Sequence, residues 1–200
     1  MRGIAGEAMA TQAKTVHRLK VTLRQVKPPV WRRIEVPSNM KLSELAAVLE
    51  AAMGWLGGHL HSFEGGGVFY ELPNEDDFGF RDTVDERKAR LGGVLPAVKS
   101  KMRWSYDFGD GWEHDVVVEA IEARRGDVAY PVCLAGKRAC PPEDCGGPWG
   151  YGDLLAALND PAHEEHEALS EWTPPGFDAD AFDTEETTVM MRSARPLQGW

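Results

Sequence analysis

Asp110-Gly111 lies between two strand-like runs, 101–108 and 112–123, and it is the pair that a tight primed hairpin turn prefers. A chain with that signal folds two long segments side by side, so the sequence predicts a long β-hairpin over 101–123. A second hairpin is predicted upstream. His17, Leu19, Val21 and Leu23 alternate with Arg18, Lys20, Thr22 and Arg24, the period-two pattern of a half-buried strand over 17–26. Pro28-Pro29 turns the chain, and 30–36 reads as the antiparallel partner.

Ser38 and Asn39 are cap-type residues, and Leu42, Leu45, Ala46, Leu49, Ala52 and Met53 follow at helical spacing with Gly54 as the stop. Two short strands are predicted at 59–63 and 68–72, separated by Gly65-Gly66-Gly67. The charged segment 73–93 reads as a long connection with one helical turn. The segment 130–150, rich in proline and glycine, reads as neither helix nor regular sheet. Helices are predicted at 151–159 and 161–172, with Pro161 suited to the first helical position. Phe177 and Phe182 read as anchors of the segment beyond. This order predicts an α+β fold, an antiparallel sheet with hairpins packed against a few helices, and not the alternation of a doubly wound fold. The expected organisation is a disordered leader over 1–14, one domain over 15–192 and a polar tail over 193–200.

A content of 42% hydrophobic residues in 200 supports one buried core. Charges interrupt every apolar run well short of the roughly 18 residues a membrane span requires. Residues 1–14 carry no secretory pattern, so the expected location is the cytoplasm, with no membrane partner. Cys133, Cys140 and Cys145 are an odd number in one stretch and lack paired Cys-x-x-Cys spacing, which favours reduced, packed thiols over a disulfide framework or structural zinc. With 32 acidic and 22 basic residues the net charge is -10, which disfavours DNA as a partner, since binding to DNA is dominated by neutralised phosphates. The local basic candidates are Arg24, Lys27, Arg32 and Arg33, together with 81–90.

Chemistry concentrates in three glycine-punctuated segments: Trp55-Leu56-Gly57-Gly58-His59-Leu60-His61, Tyr106-Asp107-Phe108-Gly109-Asp110-Gly111-Trp112-Glu113-His114 and Pro141-Pro142-Glu143-Asp144-Cys145-Gly146-Gly147. Burial alone does not call for this mixture of Trp, carboxylate and His beside glycine. The segments either form one site or build one stiff, hydrogen-bonded core. The candidate binding surface is Trp55, His59, His61, Asp107, Asp110, Trp112, His114 and Asp144, with Trp149 beside it. His59 and His61, two apart in a predicted strand, would share a face. No cofactor is expected; were a metal bound, His59, His61 and His114 would be the candidate ligands, with Asp107 and Asp110 at hand. The competing reading has these side chains hydrogen-bonding turns and strand ends. Adjacent Glu143 and Asp144 diverge, and Asp144 could cap a turn. Cys145 as a nucleophile would need His114 or His59 as base and a depressed pKa.

Several familiar activities are absent. Asp107-Phe108-Gly109 lacks the other kinase motifs, His163-Glu164-Glu165-His166-Glu167 is not a zincin motif, no serine has a resolvase setting, and no phosphate-cradling Gly-x-x-x-x-Gly-Lys loop occurs.

Trp31-Arg32-Arg33-Ile34 with Val36-Pro37, Ala52-Met53-Gly54-Trp55, His59-Leu60-His61-Ser62-Phe63, and the Tyr106 and Pro141 segments with Gly150-Tyr151 together resemble the plasmid ORF-three-like family, named after an open reading frame of an Agrobacterium Ri plasmid. The resemblance runs over about 16–182. It implies an α+β domain without an established activity. Some members are labelled resolvase-like or mobile-element proteins, which implies a DNA-linked role by association. It implies no catalytic residues for this chain. The leading expectation is a cytoplasmic binding or adaptor module whose Trp/His/Asp-lined pocket takes an unknown protein or small molecule. The alternatives are a metal-dependent hydrolase on the same cluster and a mobile-element accessory protein associated with DNA.

Overall fold

The computed structural model of the chain describes residues 14–73 and 83–196. Residues 1–13 of the expected leader over 1–14, residues 74–82 of the expected connection and residues 197–200 of the expected tail lie outside the described residues.

Eight strands form one sheet: β1 (Thr15–Leu23), β2 (Trp31–Pro37), β3 (His61–Gly65), β4 (Val68–Glu71), β5 (Thr83–Asp85), β6 (Lys101–Tyr106), β7 (Trp112–Ala123) and β8 (Val132–Lys137). Their order across the sheet is β5-β4-β3-β6-β7-β1-β2-β8. Every pairing is antiparallel except that of β4 with β5. The helices are α1 (Leu42–Met53), α2 (Leu91–Val94), α3 (Gly147–Asn159), α4 (His166–Trp172) and α5 (Thr184–Ser193). This is an α+β architecture.

The alternation in β1 explains why its two faces differ. Leu19, Val21 and Leu23 are buried in the core with Ile34 and Val36 of β2 and Leu42, Leu45 and Leu49 of α1. The even positions point the other way, where charges pair across strands: Arg18 with Glu35 and Glu122, Arg33 with Glu119, and Arg24 with Glu113 and Asp115. Arg32, on the core face of β2, is only 2% exposed; its Nε donates to the Ala52 carbonyl at 2.8 Å near the end of α1. Such a donor suits the carbonyl-rich C-terminus of a helix. Gly54 then ends α1 at φ 96°, where a glycine meets no Cβ penalty.

Several local expectations are corrected. The helix expected over 161–172 begins only at His166, and Pro161 sits in the turn before it. Ser38 and Asn39 do not cap α1: its N-cap is Lys41, whose N–H donates to Glu44, while the Ser38 hydroxyl is held by Thr15 and His17. The hairpin of β6 and β7 turns through five residues, 107–111, because Asp107 itself takes a left-handed backbone (φ 55°) and its carbonyl accepts the Gly111 N–H. The 130–150 segment contains the edge strand β8, paired to β2 with one register shift, and the start of α3; Gly136 of β8 is the seat of the Phe182 ring and not a break. Helix α5 lies beyond the Phe177 and Phe182 anchors, where the sequence predicts no helix. Its β-branched threonines carry little helical propensity, and tertiary contacts hold it: Asp183 accepts the N–H groups of Glu185 and Glu186, Thr188 accepts the Cys133 N–H, and Met191 is buried.

Candidate functional site

Three loops meet at one end of the sheet: 54–60 after α1, 107–111 between β6 and β7, and 141–146 before α3. Trp55 ties them together. Its ring stacks on Tyr106 at 4.6 Å between centroids, and its Nε1–H donates to the Pro141 carbonyl at 3.0 Å. The Asp107 N–H donates to the Leu60 carbonyl, joining the first two loops, and the Gly146 N–H donates to Asp110 Oδ2, joining the last two. Gly147 permits that closeness, since a Cβ there would lie 2.2 Å from the Asp110 carbonyl oxygen.

The result is a cluster of His59, Asp107 and Asp144, in which one ligand-type atom from each lies within 4.8 Å of the others. His59 Nδ1 is 3.5 Å from Asp107 Oδ2, and its Nε2 is 3.8 Å from Asp144 Oδ1. Both separations exceed an ordinary hydrogen bond. The Asp107 carboxylate divides its work, Oδ1 accepting the Gly109 N–H at 2.9 Å while Oδ2 faces His59. Glu143 diverges from Asp144 as neighbours must, and accepts the Tyr106 hydroxyl at 2.7 Å. The Tyr106 ring stands edge-on to His59.

His61 is elsewhere. β3 begins at His61, so His59 sits in the preceding loop and the two imidazoles do not share a strand face. His61 turns inward, with Nε2 3.0 Å from Glu86 Oε2 and Nδ1 3.5 Å from Glu50 Oε1. All three side chains are buried. Burial pushes the Glu50 carboxyl up to about 7, against the pull of His61, with Glu86 and Glu143 adding to the rise.

His114 is also corrected. It is completely buried, its Nδ1 is 3.2 Å from the Trp104 carbonyl, and its ring packs against Trp104 and Trp55. Burial lowers its pKa to about 3, so it is a neutral core residue remote from any ligand role beside His59. Trp112 is likewise core, whereas Trp149 is 84% exposed on α3. Asp110 serves as a brace between loops through Gly146.

Burial raises the pKa of Cys140 and pushes that of Cys145 up to about 12, so both are thiols, opposite to what a nucleophile requires. Of the suspected basic residues, Arg24 and Arg33 are paired, Arg32 is buried, Arg87 and Lys88 pair with Asp85 and Lys27 is exposed, while Arg81 lies outside the described residues.

Glu50, Glu86 and the Tyr106–Glu143 pair escaped the sequence reading. Glu50 did carry a signal. It lies four residues after Ala46 and three before Met53, so a carboxylate occupies the apolar stripe of α1. Glu86 had none, because β5 pairs with β4 from across a long connection.

A groove of about 780 Å³ is lined by Trp55 and Glu143, which neighbour the cluster, and continues past Trp172, Phe177, Phe182 and Met190, with buried Arg32 in its wall; His59, Asp107 and Asp144 do not line it. Leu56, Leu60 and Phe108 are exposed apolar side chains on the same loops.

Residues 15–186 match the family described as plasmid pRiA4b ORF-3-like protein. The chain belongs to this family. Its relatives include a Sinorhizobium fredii (strain NBRC 101917 / NGR234) protein described as uncharacterized protein y4hQ, 44% identical over 158 residues, which cover 79% of this chain and 80% of the relative. The crystal structure of a protein of unknown function, MM3350, from Methanosarcina mazei Go1 is similar with a TM-score of 0.79 and 36% identity, covering 87% of this chain and 98% of that one. The family name and these two descriptions assign no activity. No helix among the described residues is long and apolar enough to cross a membrane.

Proposed function

We propose that this protein is a binding module that takes its ligand through a divalent cation held by His59, Asp107 and Asp144. The observation that carries this reading is the convergence of these three side chains from three separate loops. One imidazole and two carboxylates suit zinc or manganese, and three protein ligands leave a position for an oxygen of the ligand. The nearby groove offers an apolar wall of Trp55, Trp172, Phe182 and Met190, with Glu143, Asp183 and Glu186 also lining it. A small molecule with an apolar body and an oxygen donor for the cation fits that chemistry. The test is titration of the metal-free protein with Zn²⁺ and Mn²⁺, alongside His59→Ala and Asp144→Asn. A loss of affinity of tenfold or more in both variants is expected; equal affinity in all three proteins would sink the reading.

A metal-dependent hydrolase on the same cluster is the second reading. The Tyr106–Glu143 pair favours it, because these residues adjoin Asp107 and Asp144 in sequence and the Tyr106 hydroxyl, donating to Glu143 at 2.7 Å, orients its carboxylate. Glu143 would accept the proton of a cation-bound water. Hydrolysis of ester or phosphoester probes that disappears in Glu143→Gln, with cation affinity retained, supports it; turnover unchanged in that variant opposes it. The DNA-associated reading would need unpaired basic residues, and the ion pairs of Arg24 and Arg33 argue against it.

A further inference from the structure

Beneath the loop 54–60, Glu50, His61 and Glu86 form a second cluster distinct from His59, Asp107 and Asp144. Glu50 is 6%, His61 7% and Glu86 1% exposed. Among the described residues, two buried atoms of this cluster, Glu50 Oε1 and His61 Nδ1, have no hydrogen-bond partner. Buried polar atoms without partners are rare and costly. These two also face one another at 3.5 Å, too far for a hydrogen bond between them.

The rest of the geometry explains why they are held apart. The Glu86 carboxylate lies 3.0 Å from His61 Nε2, and the tautomer that donates there directs the Nδ1 lone pair at Glu50. A carboxylate behind an imidazole, fixing its tautomer and orientation, is the usual support of a metal-binding histidine. Donors about 2.0–2.2 Å from a tetrahedral cation lie roughly 3.3–3.6 Å apart, and the observed separation falls in that interval. Gly57 closes the roof: with φ 78°, it lies so near that a Cβ would be 2.8 Å from Glu50 Oε2.

We infer that Glu50 and His61 form a buried cation site, separate from the loop cluster, for a zinc-class divalent ion whose remaining positions are taken by water, with Glu86 as the positioning residue for His61. It stands on different atoms from the His59 reading, so each can fail alone.

The test is metal analysis of protein purified without an affinity tag or chelator, followed by Zn²⁺ titration of the metal-free form, read by calorimetry and by melting temperature. A His59→Ala/Asp144→Asn double variant leaves the buried cluster intact and removes the loop cluster. It should still take up one equivalent of Zn²⁺ and melt at a higher temperature with the ion. Glu50→Gln should lose one equivalent, and Glu86→Gln, which does not touch the ion, should weaken binding by about 10–100-fold. No uptake and no melting shift in the double variant overturns the inference while leaving the loop site standing if the parent binds one equivalent. One equivalent in parent and double variant alike, lost in Glu50→Gln, supports the buried site and overturns the loop site. No binding by the parent overturns both.

Discussion

His114 and His61 are both hidden from solvent, yet they sit in opposite surroundings. The ring of His114 lies against Trp104 and Trp55 with one backbone carbonyl for company, and burial holds it neutral, with a pKa near 3. His61 lies between two carboxylates, one behind each nitrogen. The residue type is the same, and so is its place beside glycine-rich loops in the sequence. What differs is the neighbour that tertiary folding supplies: aromatic rings in one case, Glu50 and Glu86 in the other. A histidine in an unusual motif therefore points to chemistry only once its second partner is known.

The harshest way to break the comparison is to open the aromatic cage. Trp104 is fully buried and contacts Trp55, Tyr106, Phe63 and His114. Trp104→Ala is expected to cost about 3–5 kcal/mol by urea unfolding, and a cost below 1 kcal/mol would mean the cage does not support the core.

Acid sharpens it. The folded pKa of His114, about 3, lies below its ordinary value of 6.5, so below 6.5 the unfolded chain takes up a proton that the folded chain refuses. Its contribution to stability is complete above pH 6.5 and falls by roughly 1.4 kcal/mol per pH unit as pH drops toward 3. The difference in unfolding free energy between the parent and His114→Gln, followed from pH 7 to 4, should carry that slope. A constant difference would show that His114 takes up its proton in the fold as it does in the unfolded chain.

The carboxylate side is probed through its roof. Gly57→Ala places a Cβ against Glu50 Oε2 and forces a left-handed backbone on alanine, with an expected cost of about 1–2 kcal/mol. A variant as stable as the parent would mean that the loop over Glu50 yields freely. The smallest effect belongs away from both histidines. Asp183→Ala removes the cap of α5 and should lower stability by about 1 kcal/mol, leaving cation affinity and the acid slope of His114 unchanged.

Local pattern carried most of the sheet into view. Leu19, Val21 and Leu23 alternate with charges, and Asp110-Gly111 stands between two extended runs, so β1, β2, β6 and β7 were legible before any tertiary contact was known. β8 was hidden because its hydrogen bonds come from β2, about a hundred residues away, and because Gly136 serves Phe182. α5 was hidden because threonines argue against a helix locally, and Asp183, Cys133 and Met191 override them.

The same division holds at the site. Sequence by itself determined the α+β class, the membership that the five motifs announced, and three loops dense in His, Asp and Trp, because strand alternation and glycine turns are short-range properties. Tertiary structure alone decided that His59 meets Asp107 and Asp144 while His61 turns to Glu50 and Glu86 and His114 enters a cage of tryptophans. The reason is physical: a side chain's chemistry depends on atoms a few ångströms away, and those atoms arrive from distant parts of the chain.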